Sequence, residues 1–220
     1  GNTMAGSPHS AGTHLPIGDL KLNFTYPEGE LSDYHHELDL TTAVNTVTYK
    51  VGDTEYTRQC IASNPDDVIA MHIKASRPES ITVELELQLL RNAEVVASGN
   101  QLIYTGNAEF EKHGRGGVLF EGRIAAEIKG GTIKADGKKL LIDKATEVLL
   151  LSDVRTNYKN TTFAGYDYQQ KCKETIEAAS KKSFKTLRNT HVEDYTPLFS
   201  RVALSFGDNG KFSHLPNDQR

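Results

Sequence analysis

"TEVLLLSDV" (residues 146 to 154) sets four apolar residues, Val148 to Leu151, on consecutive positions. Successive side chains of a strand point to opposite faces, so such a run suits a strand covered on both sides. "ITVELELQLL" (81 to 90) has a different pattern. Ile81, Val83, Leu85, Leu87 and Leu89 share one face there, and Glu84 and Glu86 share the other. That is the signature of a strand with one dry and one wet side.

The same period of two runs outward from these stretches. Strands are expected at "LKLNF" (20 to 24), "YHHELDL" (34 to 40), "TTAVNTVTYKV" (41 to 51) and "TEYTRQCIAS" (54 to 63). Others follow at "VIAMHIKAS" (68 to 76), "QLIYTG" (101 to 106), "GVLFEGRIAAEI" (117 to 128) and "GTIKADGKKLLI" (131 to 142). Turn chemistry separates them: "TYPEGE", "GD", "NPDD" and "RPES". Short strands with turns between them and almost no helical period predict a mainly β, antiparallel sandwich, with supersandwich-like proportions.

Near Asp167 the period changes. Cys172, Ile176, Ala179, Leu187 and Val192 recur at helical spacing, and the polar "SKKS" (180 to 183) divides the stretch into two helices. Thr190 and Glu193 fit a capping box or the interior of a continuous helix. Pro197 argues against continuation. "RVALSFG" (201 to 207) reads as one further strand. The chain is thus expected to comprise a lead-in (1 to 14), the sandwich (15 to 158), a helical linker (159 to 200), and a strand with the start of a connection (201 to 220). A closing strand followed by the polar "DNGKFSHLPNDQR" suggests that a parent chain continues.

Composition narrows the function. The 220 residues are 37% apolar and 25% charged, enough to build a core, and the net charge is −4 without a long run of one sign. That leaves no electrostatic footprint for nucleic acid or an anionic membrane surface. No stretch approaches the length of apolar sequence that spans a bilayer. Two cysteines, Cys60 and Cys172, are too few for a disulfide scaffold and read as free thiols. "GNTMAGSPHSAG" (1 to 12) has neither the basic end nor the apolar centre of a signal peptide.

Candidate sites weigh against chemistry in this segment. "YHHELDL" holds His35, His36, Glu37 and Asp39, residue types that suit a divalent ion. On a strand, however, His35, Glu37 and Asp39 face one way and Tyr34, His36 and Leu38 the other, so the two histidines cannot chelate one ion together. A solvated strand face is the expected reading. Glu84 and Glu86 could form a hydrolytic pair only across a bound sugar; opposite an apolar stripe they are expected to solvate the sheet. Asp66 and Asp67 follow Pro65, where Asp serves turn geometry. "HGRGG" (113 to 117) precedes a strand rather than a helix and so lacks the phosphate-cradling context. Nine tyrosines and no tryptophan supply packing before any sugar platform. No catalytic residue, metal ligand or cofactor is assigned.

Several segments in order resemble the amino-terminal region of glycoside hydrolase family 95, the inverting α-L-fucosidases, some of which act on α-L-galactosides. They are "LPIGDLKLNF" (15 to 24), "DYHHELDLTTAVNTVTYKVGDTEYTRQCIASNPDDVI" (33 to 69), "GVLFEGRIAAEIKGGTI" (117 to 133), "EVLLLSDVRTNY" (147 to 158), "HVEDYTPLFSRVALSFG" (191 to 207) and "HLPNDQR" (214 to 220). Where the family pattern has paired arginines, this chain has His35 and His36. The resemblance implies a β-sandwich, a helical linker, a catalytic (α/α)6 barrel and a final β domain. This chain is similar to the later part of the sandwich plus the linker; the barrel's catalytic residues map to no position in it. It implies that the chain is inert alone, with the barrel as its partner, a glycan as the parent's substrate, and a secreted or periplasmic parent. A sandwich without its opening strands, and helices without a barrel over Ile176, Leu187 and Val192, are expected to self-associate or to swap the helical tail. The alternative is a free-standing carbohydrate-binding or adhesion sandwich.

Overall fold

The computed structural model describes residues 16–90, 92–108, 118–158, 166–204, 210, 215–216 and 219. Among the described residues, twelve strands and two helices make three layers. Strands β1 (Gly18–Thr25), β6 (Ile81–Leu89), β11 (Lys139–Ala145) and β10 (Thr132–Asp136) form a small sheet in the order β1-β6-β11-β10. The large sheet orders eight strands as β2-β3-β4-β5-β12-β9-β8-β7. These are β2 (Leu31–Asp39), β3 (Val44–Val51), β4 (Thr54–Ser63), β5 (Val68–Ala75), β7 (Ala93–Ser98), β8 (Gln101–Ala108), β9 (Val118–Lys129) and β12 (Glu147–Thr156). Every pairing is antiparallel. Helices α1 (Tyr168–Ala179) and α2 (Phe184–Phe199) cover the face of the large sheet turned away from the small one.

The apolar run in β12 explains this layering. Val148 and Leu150 pack into the core between the sheets with Ile81, Val83 and Leu85 of β6. Leu149 and Leu151 pack into a second core with Ile61, Val68, Ile176 and Leu187 beneath the helices. All four are buried. The outer face of β6 stays wet, as its alternation predicts: Lys139 Nζ lies 2.8 Å from Glu84 Oε1 and 3.2 Å from Glu86 Oε2.

Local chemistry fixes the ends of the elements. Gly52, at φ +56°, makes the turn between β3 and β4 that a side chain would strain. Asp167 caps α1 by accepting from the Gln169 and Gln170 amides, and Ser183 caps α2 through the Thr186 amide.

Some expectations are corrected. The helical stripe is covered by this chain itself: Ile176 and Leu187 are fully buried against the large sheet, and Val192 packs at the margin of that core. The helix passes through Pro197 to Phe199, giving up the one i→i−4 hydrogen bond that the proline cannot donate. Of the two readings of Thr190, the interior of a continuous helix is the one found, within α2. The described part of the expected closing strand, residues 201 to 204, is irregular rather than strand; 205 to 209 lie outside the described residues. "HGRGG" also lies outside them. Strand β7, not foreseen from the sequence, forms the far edge of the large sheet.

Candidate functional site

The two sheets do not cover each other completely. At the β1 side the small sheet ends while β2 to β5 continue, leaving a cleft of about 580 Å³. Tyr34 and His36 of β2, Asn45 of β3, Arg58 and Cys60 of β4 and Met71 of β5 line its floor. Strand parity sends Tyr34 and His36 inward, where Asn45 Nδ2 lies 2.7 Å from His36 Nε2. His35 lies on the opposite face, 3.2 Å from Glu37 Oε2. The two histidines thus have different partners on different faces. Added zinc is therefore expected to leave the melting temperature unchanged, both in the native chain and in the H35A/H36A variant. A zinc-dependent rise that disappears in the double variant would contradict this geometry.

Among the described residues, none that lines this cleft is a carboxylate. Glycoside hydrolysis needs a proton donor and a second carboxylate across the bond, and the described lining contains neither. Arg58 has no carboxylate partner among the described residues. Burial pushes the Cys60 thiol up, against the weaker pull of Arg58, which keeps it protonated and a poor nucleophile. Cys172 lies in α1 on the other side of the large sheet, buried, its thiol pushed up to about 12 by burial and then by Asp153. The cysteines are both free.

Two buried carboxylates, Glu121 and Asp153, lie elsewhere, beneath α1, and each is paired with an arginine. Glu121 and Arg123 of β9 lie opposite Arg155 and Asp153 of β12, so the four charges alternate in a square. Arg123 Nε donates to Glu121 at 2.7 Å and Arg155 Nε donates to Asp153 at 2.8 Å. Gln169 of α1 donates to the free Glu121 oxygen at 3.0 Å, and the Cys172 thiol donates to the Asp153 carbonyl. Burial pushes the Asp153 carboxyl up, although the Arg155 bond opposes it. This square seats the helix, through Gln169 and Cys172.

The turn after β4 holds the feature that sequence reading reduced to local geometry. The Asp66 side chain is 2% exposed. It accepts from Ser63 Oγ at 2.9 Å, from Thr190 Oγ1 of α2 at 2.8 Å, and from Lys182 Nζ between the helices. Asn64 reaches Asp194 of α2 as well, at 3.2 Å. Asp67, at φ +60°, pairs with Arg155. One four-residue turn thus ties both helices and the charged square together. Several tyrosines are structural: Tyr49, Tyr56 and Tyr104 are buried, and the Tyr26 hydroxyl lies 2.7 Å from that of Tyr49. Tyr34 and Tyr158 are exposed.

The described residues thus form a layered antiparallel sandwich with a helical cover, and no carboxylate is found among those that line its cleft. Residues 1–161 match the family described as glycosyl hydrolase family 65, N-terminal domain, and the chain belongs to that family. It is 30% identical over 216 residues to "Alpha-L-fucosidase 2" of Arabidopsis thaliana, covering 86% of this chain and 25% of that protein. It is 29% identical over 204 residues to "Probable alpha-fucosidase A" of Aspergillus niger, covering 84% and 25%. Among solved structures, the "Putative kojibiose phosphorylase from human microbiome" shares its fold, with a TM-score of 0.57 at 13% identity over 81% of this chain and 28% of that one. The chain spans about a quarter of the length of the curated relatives it matches.

Proposed function

We propose that this chain is the non-catalytic amino-terminal part of an inverting α-L-fucosidase of the family 95 type, acting on α-L-fucosyl linkages in glycans. Its role in that reading is structural: the sandwich and its two helices brace a separate catalytic (α/α)6 barrel, which carries the acid and the activated water. The carrying observation is that most of the chain aligns with only a quarter of a protein named as an α-L-fucosidase. The absence of a carboxylate from the described lining of the cleft, and the pairing of Glu121 and Asp153 with arginines, agree with it.

The purified chain is expected to release no fucose from an aryl α-L-fucoside or from α-linked fucosyl oligosaccharides under conditions in which an intact parent enzyme does. Turnover by the chain, abolished by a carboxylate substitution such as Glu84→Gln, would overturn the reading. The second reading, a carbohydrate-binding sandwich, is favoured by one feature, the exposed Tyr34 ring in an open cleft with Arg58, which has no carboxylate partner among the described residues. Calorimetric titration with fucosyl oligosaccharides separates the two. Saturable binding without turnover, lost in Tyr34→Ala, would support the second.

A further inference from the structure

Strand β2 is the edge of the large sheet, and every residue from Leu31 to Asp39 is exposed. Its outer edge has no partner among the described residues. Edge strands usually avoid association by carrying lysine, proline or a bulge. This one has no lysine or proline, and its bulge takes in Asp33, at φ +52°, and Tyr34, so that regular pairing runs from His35 onward. It also presents Tyr34 at 62% and Leu38 at 54% exposure.

We propose that β2 pairs with β2 of a second copy of this chain, antiparallel about a two-fold axis at His36, joining two large sheets edge to edge. The argument lies in the order of residues in "YHHEL". Antiparallel pairing centred on His36 sets each residue opposite the one equally far on the other side of the centre. His35 then faces Glu37 of the other copy, and Glu37 faces His35. Tyr34 faces Leu38 on the opposite side of the sheet, and Leu38 faces Tyr34. Within one copy His35 Nε2 already lies 3.2 Å from Glu37 Oε2. The second copy completes a square in which imidazole donors and carboxylate acceptors alternate.

Neighbouring registers that keep the faces continuous fit worse. Centring one residue earlier sets Asp33 against Glu37; one residue later sets two Glu37 carboxylates against each other. Like charges directly opposite are destabilising. In the His36 register His36 meets its own copy on the axis, where Asn45 Nδ2 already lies 2.7 Å from its Nε2, and the only pair of carboxylates is Asp33 against Asp39, beyond the five-residue core. Each of these already has partners in its own chain: Lys50 Nζ lies 2.7 Å from Asp33, and the Thr41 amide and Thr42 hydroxyl donate to Asp39. The pairing buries the exposed Tyr34 and Leu38 against each other and does not depend on what a parent enzyme hydrolyses.

Sedimentation equilibrium of the full chain across a concentration series is the test. The weight-average mass should rise from 24.3 kDa toward twice that value. Glu37→Lys sets a cation against His35 and should weaken dimerisation at least about tenfold; His35→Glu should do the same. The H35E/E37K double variant rebuilds the alternating square with its signs reversed, and should restore the native affinity or exceed it. Both positions are exposed, and circular dichroism with thermal melting verifies that the variants fold. A native chain that stays monomeric at every concentration overturns the proposal. So does a dimer indifferent to Glu37→Lys, or a double variant as weak as the singles.

Discussion

Leu150→Ala and Leu151→Ala are each expected to cost about 2 to 5 kcal/mol of folding stability, the range for leucine truncation in a packed core. The two residues are adjacent in β12, 3% and 0% exposed, yet they belong to different cores. Leu150 fills the space between the sheets, and Leu151 fills the space beneath Ile176 and Leu187. In a two-layer sandwich, one of two neighbouring positions would face water, and its truncation would change stability by under about 0.5 kcal/mol. Urea denaturation distinguishes the cases through the midpoint, provided the m-value is unchanged. A large loss at one position and almost none at the other would rule out the covered third layer. Leu38→Ala on the exposed β2 edge, measured on the monomer, provides the reference for a leucine that packs against little.

That pair of leucines also marks how far the sequence could be read. Consecutive apolar residues in β12, strict alternation in β6 and the switch to helical spacing after Asp167 are local patterns, and each one survives in the fold. Strand β7 was missed for a local reason too. "AEVVAS" is six residues long, and only Val95 in it is buried, so no alternating stripe stands out. The polar residues Glu121, Arg123, Asp153 and Arg155 fall at alternate positions and look like a solvent face. They are instead paired beneath α1, because a cross-strand charge square can be covered once its members neutralise one another. Its partners lie on strands separated by a loop and a hairpin, and nothing in the spacing announces them. The helical stripe misled for the same reason. Apolar residues at Ile176 and Leu187 demand a cover, but only tertiary structure shows that the chain's own sheet provides it.

Asp66 is the residue whose role was least visible, and Asp66→Ala is expected to cost about 2 to 4 kcal/mol at neutral pH, because it strips partners from a buried, charge-assisted site. Thr190 and Lys182 both reach it, from positions 124 and 116 residues away in the chain. Lys182→Ala should cost less, roughly 1 kcal/mol, since the lysine is 42% exposed and can be solvated when unpaired. The pH dependence has a definite sign. Burial pushes the Asp66 carboxyl up, but the bonds from Lys182, Thr190 and Ser63 outweigh it and hold the folded pKa below the ordinary value. A group whose pKa is depressed on folding stabilises the native state above its unfolded pKa, near 3.9, and loses that contribution as pH falls through the folded value. The stability gap between native chain and Asp66→Asn should therefore be widest at neutral pH and shrink steadily below about pH 4. Parallel urea titrations from pH 7 down to the acid limit of folding would measure it. A gap that holds constant across that range would mean that the Asp66 charge contributes nothing, and that the turn is held to the helices by shape alone.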